Sequence, residues 1–251
     1  MLKYGLKLWS SNIAWFPEAT ALIKAGAFDY IELYHNADVP LEYQALAQLK
    51  GANVLAIHNP HSHGWHEFFL SGESHKQQWQ DTLALANFFK SKYIVIHPSR
   101  DHSFPDFLAN LKSVQDSRII VENMAGRDID DAVMNCGQTL ADLKIIKQYQ
   151  PICCDVEKAV KAARQQQCDE QVFISKCITE LQPNYFHISG GDLTPVDQHW
   201  NLWEAEFDMA WIKQALAEYA QERDIFVTFE VPKQGNGLEN DVKNLEYFKQ
   251  L

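Results

Sequence analysis

Six side chains able to bind metal or move protons stand at one kind of place in this chain. His58, His97, Glu122, Asp155, His187 and Glu230 each close a short apolar run. Carboxylate and imidazole donors in such a set suit a hard or borderline divalent ion such as Mn²⁺, Mg²⁺, Co²⁺ or Zn²⁺. Glu122, Asp155, His187 and Glu230 make a coherent ligand set of three carboxylates and one imidazole. Grouped without a cation, those carboxylates would repel one another in a partly buried mouth, and an ion removes that cost. One such residue after one apolar run is often only a loop residue or a helix cap. Six repetitions are hard to explain that way.

Other residues can join this chemistry. The segment HISGGDLTPVDQHWNLWEAEFD holds Asp197 and His199 as a D-x-H pair, with Trp200 and Trp203 placed to roof a pocket. The motif is weak alone, and its position shortly after His187 raises it. Glu32, in YIELYHN, can bind a sugar hydroxyl, orient a ligand histidine from behind, or serve as a salt-bridged carboxylate. Trp9 can stack on a sugar face or belong to the core. Asn123 can hold a substrate oxygen or satisfy a loop backbone, and Lys233 can meet an anion or stay solvated. His61, His63 and His66 crowd HNPHSHGWHEFF, where a substrate-covering loop with incidental histidines is the favoured reading.

The elements that must position these residues alternate. Strands are expected at Tyr4–Trp9, Tyr30–Leu33, Val54–His58, Tyr93–His97, Ile119–Glu122, Ile152–Asp155, Tyr185–Ile188 and Ile225–Glu230. Several are continuous apolar runs, as in parallel strands buried on both faces. Amphipathic stretches lie between them. SHKQQWQDTLALANFFKS puts Trp79, Leu83, Ala86 and Phe89 near helical spacing, and Asp208 is a plausible N-cap for DMAWIKQALAEYA. Val156–Leu181 holds one broken helix or two. Eight alternations favour a single (β/α)₈ TIM barrel of eight parallel strands and outer helices, spanning residues 1–251 as one domain. In that fold the C-terminal strand ends converge on one mouth, where active sites sit. No G-x-G-x-x-G follows the first strand, so no nucleotide cofactor is expected.

Composition bounds the partners. The chain has 251 residues, 46% hydrophobic and 22% charged, with a formal net charge of −11. Without a run of Lys or Arg, a nucleic-acid backbone is a disfavoured partner, although a local basic rim can coexist with an acidic whole. No apolar run approaches the ~18–20 residues that span a bilayer, and MLKYGLKLWSSN does not read as a signal peptide. Cys136, Cys153, Cys154, Cys168 and Cys177 form no C-x-x-C pair, so free thiols in a reducing cytoplasm are expected.

The sequence resembles the xylose-isomerase-like barrel superfamily, which holds sugar-phosphate isomerases and epimerases and the family 2 apurinic/apyrimidinic (AP) endonucleases. The resemblance runs through IELYHN, AIHNP, IVIHPS, VEN, CCDVEK, FHI with the later DQH, and FEVP. It implies a shared metal site at Glu122, Asp155, His187 and Glu230. In the isomerase branch Glu122 and Glu230 would also be the acid/base pair, acting on a small carbohydrate-like carbonyl compound through an enediolate. In the endonuclease branch His58 and His97 would join Glu122 around another zinc ion, and Asp197 and His199 would hold a third with one more histidine. That histidine normally lies three residues after the strand-six aspartate, where this chain has Lys158. Free-ketose epimerases carry an arginine where Leu193 stands, which leaves Lys158 as a candidate substrate clamp. Trp9, Trp200, Glu32 and Asn123 complete the expected substrate-binding set, and proteins of this shape often form homodimers.

Overall fold

The fold is taken from a computed structural model that describes residues 1–61, 73–98 and 103–251. Eight strands appear where alternation and apolar content place them: β1 Leu2–Trp9, β2 Tyr30–Tyr34, β3 Val54–His58, β4 Tyr93–Ile96, β5 Ile119–Glu122, β6 Ile152–Asp155, β7 Tyr185–Ile188 and β8 Ile225–Phe229. They pair in parallel, in chain order, and the ring closes where Leu2 of β1 pairs with Ile225 of β8. The fold is therefore a (β/α)₈ barrel. His97 and Glu230 stand one residue beyond the ends of β4 and β8 rather than within them.

The described helices are α1 Phe16–Lys24, α2 Tyr43–Leu46, α3 Glu73–Phe89, α4 Phe104–Ser113, α5 Leu140–Lys147, α6 Val156–Gln165, α7 Glu170–Lys176, α8 Met209–Tyr219 and α9 Glu239–Gln250. Polar caps start many of them. Ser103, Thr139, Asp155, Asp169 and Asp208 each accept a hydrogen bond from a backbone N–H in the first turn. Val156–Leu181 resolves into two helices. Gln167 adopts φ 55° in the break, and Asp169 caps the restart. No described helix is long and apolar enough to cross a membrane.

Period two sorts the strand residues into two faces. Leu6, Leu33, Ile57, Ile94, Val121, Cys154, Phe186 and Val227 face the helices and form the main core. Tyr30, Ala56, Tyr93, Val95, Ile120, Cys153 and Tyr185 fill the barrel interior as a second cluster. Gly5 makes room there, since a Cβ on it would stand 2.3 Å from the Tyr30 ring. Two residues further along each strand, the same phase places Lys7, Glu32, Glu122, Asp155, His187 and Glu230 above this floor. The register then sets neighbours side by side, Lys7 against Glu32 and Asp155 against His187.

The connection after β7 is pinned to its surroundings. Gly190 and Trp200 exchange backbone hydrogen bonds of 2.9 Å each way. Asn201 Oδ1 accepts from Asn240 Nδ2 at 2.7 Å and from Asn244 Nδ2 at 2.9 Å, joining the loop to α9. A Cβ on Gly190 would stand 2.1 Å from the Asn201 carbonyl oxygen. Gly190→Ala should therefore cost about 1–3 kcal/mol of stability through backbone displacement. Chemical denaturation checks this, and an unchanged midpoint would show that the loop adapts freely.

Candidate metal centre

Glu122 is the hub of the mouth. Its Oε2 lies 3.2 Å from His58 Nε2, 2.9 Å from His97 Nε2 and 3.2 Å from His187 Nδ1. Its Oε1 accepts from the Lys158 ammonium, which is also 3.9 Å from Asp155 Oδ2. His187 sits between carboxylates. Its Nε2 is 2.8 Å from Glu32 Oε2, and its Nδ1 faces Glu230 Oε1 at 3.1 Å. The Lys7 ammonium closes a ring by bridging Glu32, at 2.5 Å, and Glu230. All of these groups are buried, Glu32, Glu122, Asp155 and His187 completely.

The charges follow from this packing. Burial opposes ionisation of Glu122, but Lys158, His187 and His97 outweigh it and hold the carboxyl well below its usual range. His187 and Lys7 do the same for Glu230. Asp155 goes the other way, pushed up to about 7 by burial and by Glu122 and Glu230, against Lys158. Burial works against charge on His187, yet Cys153, Glu230, Glu32 and Glu122 raise it well above an ordinary imidazole.

The donor set fits a divalent ion. Ligand atoms of Glu122, Asp155, His187 and Glu230 lie within 4.8 Å of one another. Two of them, Asp155 Oδ2 and His187 Nδ1, are buried with no hydrogen-bond partner. Asp155 Oδ1 is spent capping α6 through the Lys158 N–H at 2.8 Å, so Oδ2 is left over. The Glu32–His187 contact has the form of a carboxylate orienting a metal-binding imidazole, with Nδ1 left as the donor. A buried lone pair facing two carboxylates needs either a proton or a cation.

Several expected residues take different parts. Glu32 is not open to substrate. It lies beneath His187 and also accepts from Tyr185 Oη at 2.7 Å and Thr228 Oγ1 at 3.2 Å. Of the three readings of Glu32, two fit together: it orients His187 and is salt-bridged to Lys7. Asn123 is likewise occupied, donating to the Asp155 carbonyl at 2.9 Å and accepting from the Asp155 N–H at 2.6 Å. It ties β5 to β6. Trp200 and Trp203 do not roof the pocket. Trp200 is held by its main-chain pairing with Gly190, and Trp203 packs edge-on against Tyr247 at 6.2 Å. Lys158 is 1% exposed and below the cavity surface. Lys233 reaches the cavity but is paired with Asp241.

Above the centre opens a cavity of about 690 Å³, with Trp9, Tyr34, His61 and His97 along one side and Met124, Ile129 and Met134 among its other lining residues. Trp9 is 47% exposed, so it is a rim residue rather than core. Asp197 and His199 also line the cavity, and His199 Nδ1 is 3.6 Å from Glu230 Oε2. Their loop is held from below. The Lys161 ammonium donates to the Asp192 carbonyl at 2.8 Å and to Gln198 Oε1 at 2.9 Å. His63 and His66 lie outside the described residues.

Sequence reasoning missed Lys7, Lys161 and the place of His61. A signal for Lys7 existed, because a lysine between Leu6 and Leu8 in a strand buried on both faces must point inward to a partner.

No protein-family profile matches the chain, and no curated protein matches it. Solved structures do. An endonuclease IV from Thermus thermophilus aligns with TM-score 0.70 and 17% identity, over 99% of this chain and 98% of that one. A putative xylose isomerase from Rhodospirillum rubrum gives 0.72 and 11%, over 100% and 99%. The 3-keto-D-glucoside 4-epimerase YcjR from E. coli gives 0.65 and 13%, over the full length of both chains. The chain thus shares its fold with these proteins, whose names include an endonuclease, a putative isomerase and an epimerase. At such identities the likeness speaks for the fold alone.

Proposed function

We propose that the chain is a divalent-metal-dependent isomerase or epimerase acting on a small sugar, sugar phosphate or related polyol carbonyl compound. The observation that carries the reading is the convergence of Glu122, Asp155, His187 and Glu230 donors, within 4.8 Å of one another, below a cavity of small-molecule size. Lys158 adds to it. Its ammonium pairs with Glu122, and it stands at the sequence position where the resemblance to the endonucleases puts a histidine for a third ion. Zn²⁺, Mn²⁺, Co²⁺ or Mg²⁺ held by the four residues would supply Lewis acidity, polarising a carbonyl and its neighbouring hydroxyl.

The chain's own residues do the rest. Glu122 and Glu230 carry the proton between adjacent carbons through an enediolate. Lys158 and Lys7 keep these carboxylates ionised, and a bound substrate has to loosen those pairs before either becomes a strong base. Trp9 and Tyr34, with ring centroids 5.6 Å apart, offer an aromatic wall to a sugar face.

A second reading has its own support. His58 and His97 meet on Glu122 Oε2, and Asp197 and His199 face the same cavity, an arrangement also suited to zinc-dependent phosphodiester hydrolysis on abasic DNA. The two readings separate on purified protein. Chelation should abolish turnover in a panel of sugars and sugar phosphates, and a divalent ion should restore it. Glu230→Gln should lower kcat about 10²–10⁴-fold. Full turnover in that variant would remove Glu230 from proton transfer, and chelator-sensitive cleavage of an abasic oligonucleotide would reverse the order of the readings.

A further inference from the structure

We propose that His61 is a metal ligand that, with His58 and His97, makes a three-imidazole site beside Glu122 for a borderline divalent ion such as Zn²⁺. The inference rests on the metal-binding part of the reading above and not on the reaction. Ligand nitrogens of His58, His61 and His97 lie within 4.8 Å of one another. The ring centroids are 4.9 Å apart for His58 and His61, 5.0 Å for His58 and His97, and 3.8 Å for His61 and His97.

The His58 and His97 rings are held in directions that suit a ligand, and the His61 ring is held close to both. His58 Nδ1 lies 2.9 Å from the Asn59 carbonyl oxygen, an acceptor, so the proton of a neutral ring sits on Nδ1. Its Nε2 then presents a lone pair to Glu122 Oε2 at 3.2 Å. Two lone pairs at that distance repel, and a cation between them reverses the sign. His97 Nε2 approaches the same oxygen at 2.9 Å. His61 is fixed through its main chain. Tyr34 Oη donates to the His61 carbonyl at 2.6 Å and accepts from its N–H at 3.2 Å. The imidazole is thus set in the mouth and stacked on His97, rather than being an incidental member of a covering loop.

Three imidazoles, two of them beside Glu122, form a nitrogen-rich set of the kind zinc accepts in tetrahedral geometry. Catalytic zinc keeps one position open for water, whereas structural zinc has all four filled by protein. His61 supplies the third imidazole and leaves one position of a tetrahedral ion to Glu122 or to solvent.

Zinc and cobalt titrations of the chelated whole chain test this. Two ions should bind, and Co²⁺ should show the intense visible bands of four-coordinate cobalt. Asp155→Asn should weaken the other site and leave those bands. His61→Ala and His61→Gln should weaken this site at least about 10-fold and replace the bands with weak five- or six-coordinate ones. Wild-type spectrum and affinity in a His61 variant whose circular dichroism is native would overturn the assignment while leaving the other metal site standing. Uptake of no divalent ion by the wild type would overturn both.

Discussion

Replacing Glu122 by glutamine should abolish turnover, with a loss of at least about 10³-fold in kcat, and should also strip bound metal. Four side chains meet on this carboxylate. One oxygen collects His58, His97 and His187, and the other takes the Lys158 ammonium. Glutamine keeps the shape but removes the charge, and its amide nitrogen can only donate where three imidazoles and an ammonium already compete. Lys158, 1% exposed, is then left with Asp155 at 3.9 Å as its remaining ion-pair partner there. An uncompensated buried charge of that kind costs about 3–5 kcal/mol. Metal content after dialysis, steady-state rates and a denaturation midpoint report these effects separately. A variant with normal metal and normal turnover would show that the convergence on Glu122 is structural decoration.

Glu32→Ala should destabilise the fold by about 3–5 kcal/mol, a large share of the roughly 5–15 kcal/mol that holds a domain together. Glu32 is completely buried and accepts from Lys7, His187, Tyr185 and Thr228. Truncation leaves Lys7 with Glu230 as its carboxylate partner, and it frees the His187 ring to choose the other tautomer. Metal affinity should therefore fall as well, by about 10–100-fold for loss of an orienting carboxylate. Glu32→Gln keeps a partner for Tyr185 and should lose less stability. If Glu32→Ala unfolds at the parental denaturant concentration and binds metal as tightly, Glu32 neither braces the barrel nor orients His187.

Much of the architecture was legible in the chain. Runs such as IIVE and ICCD have the length and apolar content of strands buried on both faces, and their last residues mark the mouth. The order His, His, Glu, Asp, His, D-x-H, Glu named the hub residues for the same reason. A parallel barrel brings every strand end to one side, so position along each strand stands in for position in space.

Partner choice was not legible. Whether Glu32 meets substrate or His187, whether Asn123 faces the cavity or the Asp155 backbone, and whether Lys158 is exposed depend on which neighbour arrives across the ring. The pairing of Lys7 on β1 with Glu230 past β8 spans 223 positions, and no local pattern encodes it. The sequence by itself determined strand phase, and with it which side chains point into the barrel, because pleat and periodicity are local properties. The tertiary structure decided which of those side chains pair, which stay unsatisfied for an ion, and which are sealed from substrate. These are set by barrel closure and register, and by competition among many donors and acceptors in a small buried volume.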